Sequence, residues 1–265
     1  MARFTELLQD RGNGREPGVP WFVHDKIRCA EFMDILRIPT VEVLRRFETP
    51  EAIDLVGLPT EFVLKPTYES SSRGVMVLER LDDGYYESMR DKKISLDEIV
   101  EKQQELFDGS KSKNRMTIVE KKIVDSSGLR IPMDYKAYTF QGEIAFVVGF
   151  DRNNAKTRIS WFDSNFDPMD LSRVSTNEKY LDLERDPVRP TNWRELLNLA
   201  TRASIATPAP FVSVDMYDHI EGPLLGELTL VPGAFYFGKY FVASDEEDYV
   251  LGRMWERARD RLIRA

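Results

Sequence analysis

Residues 211–233 read FVSVDMYDHIEGPLLGELTLVPG, and the alternation in this stretch limits the fold more tightly than any other feature of the chain. Side chains along a strand point to opposite faces in turn. Val212, Val214 and Met216 therefore share one face, and Ser213 and Asp215 the other. If the segment is a hairpin centred near Glu221, Asp215 faces Glu227, Ser213 faces Thr229, and Leu228 and Leu230 join the oily side. The chain must then build an antiparallel sheet with one buried face and, on the other, two opposed carboxylates. Like charges directly opposite each other destabilise a sheet, unless a cation or a shared proton lies between them. An Asp/Glu pair with hydroxyl neighbours suits a hard cation that takes oxygen ligands, and Mg²⁺ shared with triphosphate oxygens is the commonest such case. The other readings are a solvated sheet face, or a slipped register that separates the pair.

A second stretch raises the same question. Residues 62–79, FVLKPTYESSSRGVMVLE, run one apolar strand into a lysine and a proline, then three serines and a glycine, then another apolar strand. Turn chemistry between two strand-like runs predicts a hairpin. Its tip is either an ordinary polar surface loop or a loop that covers phosphate, where small residues let backbone N–H groups approach anionic oxygens and Lys65 supplies a fixed charge.

Composition excludes several classes. The chain has 265 residues, 42% of them hydrophobic and 31% charged, which is ordinary for a globular protein with a proper core. A net charge of −8, with no basic stripe, argues against nucleic acid as a partner. Cys29 is the single cysteine, so no intrachain disulfide forms. His24 and His219 are the only histidines and do not sit in a ligand pair. No secretory leader is legible in MARFTELLQDRGNG and no run of about 18 apolar residues is present, so a cytoplasmic protein with no membrane partner is expected.

Along the chain, the first 20 residues read as a loop or loosely held arm. A helix is expected from Asp25 to Leu36 and a second over ETPEAIDLV. Strands follow near 61–65 and 74–79, and Ser95 with Glu98 forms a capping box for a helix through Phe107. DGSKSKNR (108–115) is a linker without the spacing of a phosphate-binding P-loop. MTIVEKKI, the hairpin DYKAYTF-QG-EIAFVVGF and TRISWF read as strands, and 163–190 as acidic loop. The helix TNWRELLNLATRASIA precedes the 211–233 hairpin, and Ser244 with Glu247 makes a second capping box for the last helix. Trp255 and Leu262 on that helix would pack inward or against a second copy of the chain. The class is α+β, mostly antiparallel strands with helices segregated by lobe.

Taken in order, the motifs DK (25–26), FVLKP-x₄-SSRG (62–74), IVEKKI (118–123), DYKAYTFQGEIAF, VSVDMY and GELTLVPG resemble the ATP-grasp superfamily. The resemblance covers about Asp25 to Tyr240 and is strongest to the TupA-like group, named for teichuronopeptide biosynthesis. It implies two lobes of antiparallel sheet and helices that hold Mg·ATP between them: an N-terminal arm over 1–24, a first lobe over 25–119 with a phosphate-lid loop at 66–74, and a second lobe over 120–265. It implies that Lys26 and Lys65 contact phosphates, Lys65 at the reaction itself, and that Ser70, Ser71, Ser72, Arg73 and Gly74 close over the triphosphate. Glu120, Lys121, Lys122 and Ile123 would hold adenine, largely through backbone groups. Asp134 lies where relatives place a ribose-binding acid, Lys136 is within reach of phosphate, and Asp215, Glu227 and Thr229 would hold Mg²⁺.

Two positions depart from the resemblance. Thr229 stands where many relatives have Asn, and Ser213 where many have an Arg that steadies charge at the reacting carbonyl. Loss of such a donor costs on the order of 10²–10³ in rate unless replaced, and Arg152 or Arg158 is the candidate replacement. The activity implied is an ATP-dependent carboxylate–amine ligase working through an acyl phosphate, with no protein nucleophile. The competing readings are a phosphotransferase acting on a hydroxyl, which needs no carbonyl arginine, and a nucleotide-binding module without turnover. Only about 25 residues precede DK, so the acid substrate is expected to be held by the 163–190 loops, the N-terminal arm or a second subunit.

Overall fold

The computed structural model describes residues 2–69, 72–236 and 240–264, the side chain of Tyr236 excepted. Ser70 and Ser71 of the expected phosphate loop lie outside these. The chain forms two compact units, one of residues 41–124 and one of residues 1–40 with 125–265. Residues 25–40, which sequence order groups with the first lobe, thus pack in the larger unit.

The larger unit opens with α1 (Phe4–Gly12) and α2 (Lys26–Ile35). Residues 4–12 of the expected loose arm are therefore helical and docked, while 13–20 form turns and loop. Phe4, Leu8 and Arg11 recur at helical spacing and are all fully buried. Arg11 donates to the carbonyls of Phe211 (2.8 Å) and Leu230 (3.1 Å) and lies over the Trp255 ring. A stretch with one arginine on its buried face reads as polar in sequence, which hides the helix.

In the smaller unit, six strands form an antiparallel sheet: β1 (Val43–Phe47), β2 (Glu61–Pro66), β3 (Met76–Leu81), β4 (Gly84–Glu87), β5 (Lys92–Ile94) and β6 (Thr117–Lys121), in spatial order β1-β6-β2-β3-β4-β5. The helix α3 (Leu96–Gly109) starts at the expected capping box, with Ser95 Oγ accepting from the Glu98 N–H and Glu98 accepting from the Ser95 N–H. The helix expected over ETPEAIDLV is only a 3₁₀ turn, Pro50–Ala52. Beyond it Ile53, Leu55 and Leu58 are buried at a spacing that a helix face does not give, and an irregular segment with a turn at Val56 and Gly57 packs them with the apolar side chains of the sheet.

The larger unit continues with β7 (Asp134–Phe140), β8 (Glu143–Asp151), β9 (Arg158–Asp163), β10 (Val174–Thr176), α4 (Trp193–Ala206), β11 (Val212–Tyr217), β12 (Leu224–Thr229), the short α5 (Gly233–Tyr236), β13 (Phe241–Ala243) and α6 (Asp245–Arg264). Five strands make one sheet in the order β12-β11-β7-β8-β9, and β10 pairs with β13. One face of the large sheet carries Tyr135, Ala137, Val147, Val212, Val214, Met216 and Leu228 and packs with residues of α2 and α4. The opposite face carries Tyr138, Phe146, Val148 and Trp161 and packs with α1 and α6. Trp255 lies inward in that second core. The last helix departs from the expected capping box: Ser244 Oγ accepts the Glu247 N–H, but the buried Glu247 carboxylate is taken by Arg173 at 2.8 and 3.0 Å. Among the described residues no helix is long and apolar enough to cross a membrane.

Candidate functional site

The hairpin register read from alternation is present at the end that matters. Ser213 pairs with Thr229, Val214 with Leu228 and Asp215 with Glu227. Past Asp215 the register slips by one residue, so Met216 pairs with Leu225 and Gly226 is left as a bulge. The slip turns Leu225 into the core with Leu228, which strict alternation would forbid. It also needs glycine: a Cβ at position 226 would stand 2.6 Å from the Tyr217 ring.

Strand β7 lies on the other side of β11 and aligns Lys136 with Asp215. Asp134 and Lys136 share a face by alternation, and the result is a chain of charges across the sheet that alternates in sign except where Asp215 meets Glu227. Arg152 Nη2 donates to Asp134 Oδ2 at 3.0 Å, Lys136 Nζ donates to the same oxygen at 3.1 Å, and Lys136 also contacts Asp215. At the far edge Lys26 Nζ lies 3.8 Å from Glu227 Oε1. Lys26 is placed by Asp25, whose carboxylate caps α2 by accepting from the N–H groups of Ile27 (3.0 Å) and Arg28 (3.1 Å). The Phe150 ring lies 5.6 Å from the Lys136 ammonium and 5.7 Å from the Arg152 guanidinium. Cations thus lie beside the carboxylates, and the chain itself supplies them.

Burial sets the protonation of this face. It raises Asp215 above the ordinary carboxylate range, with Asp134 and Glu227 adding to the rise and Lys136 opposing it. Burial would raise Asp134 too, but Lys136 and Arg152 outweigh it and hold that carboxyl low. Burial disfavours the Lys136 ammonium, and Asp134 and Asp215 reverse the effect, so the lysine stays charged.

The donor set fits Mg²⁺ of one kind only. Asp215, Glu227 and the Thr229 side chain offer hard oxygens, yet among the described residues no group of three His, Cys, Asp or Glu could hold a metal by itself. Two carboxylates suit Mg²⁺ that completes its shell with substrate phosphates and water. Ser213 is buried and donates to Asp215 at 3.3 Å, so it brings no positive charge. Of the two arginines named as its replacement, Arg152 is in the charge chain. Arg158 donates instead to the Asp182 carbonyl at 2.7 Å on the protein surface.

In the smaller unit Lys65 and Glu120 lie on adjacent strands and form an ion pair of 2.7 Å. Lys122 contacts Glu61, and the Lys121 N–H donates to the Glu42 carbonyl at 2.9 Å. Ile123 is half-buried just beyond β6. Arg73 is exposed and 3.5 Å from Glu69. Ser72 and Gly74 both have positive φ, at 60° and 76°. A Cβ at Gly74 would lie 2.5 Å from Leu106, and its carbonyl accepts from the buried Gln103 at 2.9 Å. Gly74 is thus a packed root of the loop. Sequence reasoning passed over Phe150, Glu61 and the Lys65–Glu120 pair. Phe150 follows Phe146 and Val148 at period two, a signal present in β8 but absorbed there as core.

The family described as TupA-like ATP-grasp matches residues 7–255. No curated protein matches the sequence. Among solved structures, the D-alanine–D-alanine ligase of Bacillus anthracis is similar with a TM-score of 0.51 and 13% identity, over 92% of this chain and 66% of that one. The D-cycloserine synthetase DcsG gives 0.52 and 16%, over 91% and 71%. The D-alanine–D-alanine ligase of Coxiella burnetii gives 0.51 and 12%, over 91% and 59%. This chain therefore spans about two thirds of the length of these ligases, and at such identities the likeness establishes the fold. Fold, motif order and family match agree, and the chain belongs to the TupA-like ATP-grasp family.

Proposed function

We propose that the protein is an ATP-dependent carboxylate–amine ligase: ATP phosphorylates a carboxylate, and an amine attacks the acyl phosphate to give an amide, ADP and phosphate. The observation that carries the reading is the Asp215–Glu227 pair, opposed on adjacent strands and flanked by Lys136 and Lys26. A relative in fold, the B. anthracis ligase, has been crystallised with ATP.

Asp215, Glu227 and Thr229 would hold Mg²⁺, which when bound neutralises phosphate charge. Lys26, Lys65 and Lys136 supply further fixed cations for phosphate oxygens, and positioning of the reactants supplies the rest. Arg152 is the guanidinium of the face that meets developing negative charge in place of the arginine absent at Ser213. Glu120, Lys121, Lys122 and Ile123 serve adenine, and Ser72, Arg73 and Gly74 belong to the phosphate loop together with Ser70 and Ser71. The substrates are a small-molecule or peptide carboxylate and an amine.

Ser213 supports a second reading. The absence of an arginine at that position suits transfer of phosphate to an alcohol, which passes through no tetrahedral carbonyl intermediate.

Thermal melting with and without Mg·ATP tests the site. A ligand of the native state at about 100 times its Kd adds roughly 2.7 kcal/mol. Wild type is expected to gain this stabilisation, Lys65→Ala to lose it, and Asp215→Asn to lose its dependence on Mg²⁺. Absence of any shift in wild type would remove both catalytic readings. Product analysis then separates them: an amide with ADP marks the ligase, and a phosphorylated alcohol marks the transferase.

A further inference from the structure

The resemblance implies that an acid near Asp134 binds ribose, but the surroundings of this carboxylate suit another task. We propose that Asp134 is a positioning residue, whose carboxylate holds the Lys136 ammonium and the Arg152 guanidinium side by side as a two-cation seat for phosphate oxygens. The inference rests on the Mg·ATP reading above.

Asp134 is 4% exposed. Its Oδ2 accepts from Lys136 Nζ at 3.1 Å and from Arg152 Nη2 at 3.0 Å, and its Oδ1 lies 3.3 Å from Lys136 Nζ. An ionised carboxylate only accepts hydrogen bonds, and here both oxygens are already engaged by cations. The carboxylate is almost wholly buried and turned to two cations, so its place in the face is accounted for by Lys136 and Arg152 without a ribose hydroxyl.

The two cations are well arranged for an anion. A guanidinium carries five N–H donors in a rigid fork, so a bond from Nη2 to Asp134 fixes its plane and leaves further donors for phosphate. Lys136 has three donors and is shared between Asp134 and Asp215. The Phe150 ring at 5.6 and 5.7 Å gives both cations one apolar floor. Stability alone does not explain the cluster. Charges buried in a sheet face are costly to desolvate, and apolar residues of similar volume serve as well or better. The same face a few residues along is apolar, with Tyr138, Phe146 and Val148.

The test is a set of binding titrations on folded wild type and Asp134→Asn, with Mg²⁺ present, using ATP, 2′-deoxy-ATP, 3′-deoxy-ATP and inorganic triphosphate. Triphosphate has no ribose, so the two roles separate. The expected result is that Asp134→Asn weakens ATP and triphosphate by the same factor, about tenfold, and leaves the ratio of ATP to its deoxy analogues within about twofold of wild type. A ribose-binding Asp134 gives the opposite pattern, with triphosphate unchanged and the ratio collapsing toward one, and this overturns the proposal. Unchanged binding of all four ligands overturns it as well. If Asp134→Asn does not fold, Asp134→Glu carries the comparison: equal weakening of ATP and triphosphate with the deoxy ratio kept supports the seat, and unchanged triphosphate binding rejects it. Wild type that binds neither ATP nor triphosphate removes the nucleotide reading, and this proposal falls with it. When wild type binds both, the substitution reports on the role of Asp134 alone.

Discussion

Lys26 occupies the first turn of α2, where the helix dipole favours an anion over an ammonium. A cation in that place is held by its neighbours: Asp25 caps the helix ahead of it, and Glu227 faces it at 3.8 Å. The dipeptide was legible in sequence because its two residue types do different work, one capping and one reaching outward. Asp151, by contrast, gave no signal. It is buried, accepts from the Asn153 N–H and side-chain amide at 2.9 Å each, contacts Arg185, and so fixes the chain around Arg152. Burial would raise its pKa, but the Asn153 donors and Arg185 outweigh it and hold the pKa below the ordinary 3.8. A depressed pKa in the folded state stabilises above the unfolded value and ceases to do so as pH falls through the folded one. Asp151→Asn is therefore expected to cost about 1.5–3 kcal/mol at pH 7. The gap from wild type should narrow in denaturant titrations below pH 4, and a gap that widens on acidification would exclude this role. Cys29 makes a second prediction at this scale. Burial, with the Glu227 charge adding to it, pushes its thiol up to about 12. Its reaction with a disulfide reagent should be slowed about a thousandfold or more in the native protein and should become complete, at one thiol per chain, on unfolding.

Elements were legible where hydrophobic period and turn chemistry agreed. The β7–β8 hairpin, the β11–β12 pair, α3 and α4 all meet that condition. What escaped were elements whose partners are remote. β1 is half-charged and acquires its place from pairing with β6, some 70 residues on, while β4 and β5 are only four and three residues long. The bulge at Gly226 escaped for a related reason, since alternation carries no mark of a single inserted residue. That bulge lets Leu225 join Leu228 in the core next to a Glu227 that still opposes Asp215, and it is packed under Tyr217. Gly226→Ala should destabilise the protein by about 1–3 kcal/mol through overpacking and weaken Mg·ATP binding together with stability. Gly109→Ala, where a Cβ meets nothing within 4 Å, is the control and should leave the melting temperature nearly unchanged. Equal effects of the two substitutions would show that the bulge does not shape the site.

At the scale of the whole molecule, the order of motifs along the chain was more informative than any one of them, yet it left unseen that residues 1–40 pack with 125–265. Contacts such as that between Leu225 and Pro39 join segments that no local pattern connects. The charge chain has the same character, because Arg152, Asp134, Lys136, Asp215, Glu227 and Lys26 come from five separate segments. Its arrangement predicts how ligands act on the protein as a whole. Each candidate metal carboxylate already faces an ammonium, so Mg²⁺ alone must compete with a tethered cation for two oxygens. A triphosphate changes this balance, since the lysines gain phosphate partners and the metal gains phosphate ligands. Mg²⁺ and ATP should therefore bind with positive coupling, typically 1–3 kcal/mol. For a chain of this size about 1 kcal/mol moves the melting temperature by roughly 2–4 °C. Calorimetric melting with neither ligand, with each alone and with both gives the coupling as the excess of the joint shift over the sum. An excess of several degrees is expected, with almost no effect from Mg²⁺ alone at about 1 mM. If Mg²⁺ alone stabilises the protein as much as Mg·ATP does, the two carboxylates form a self-sufficient metal site, and the lysines beside them are not the phosphate cations proposed here.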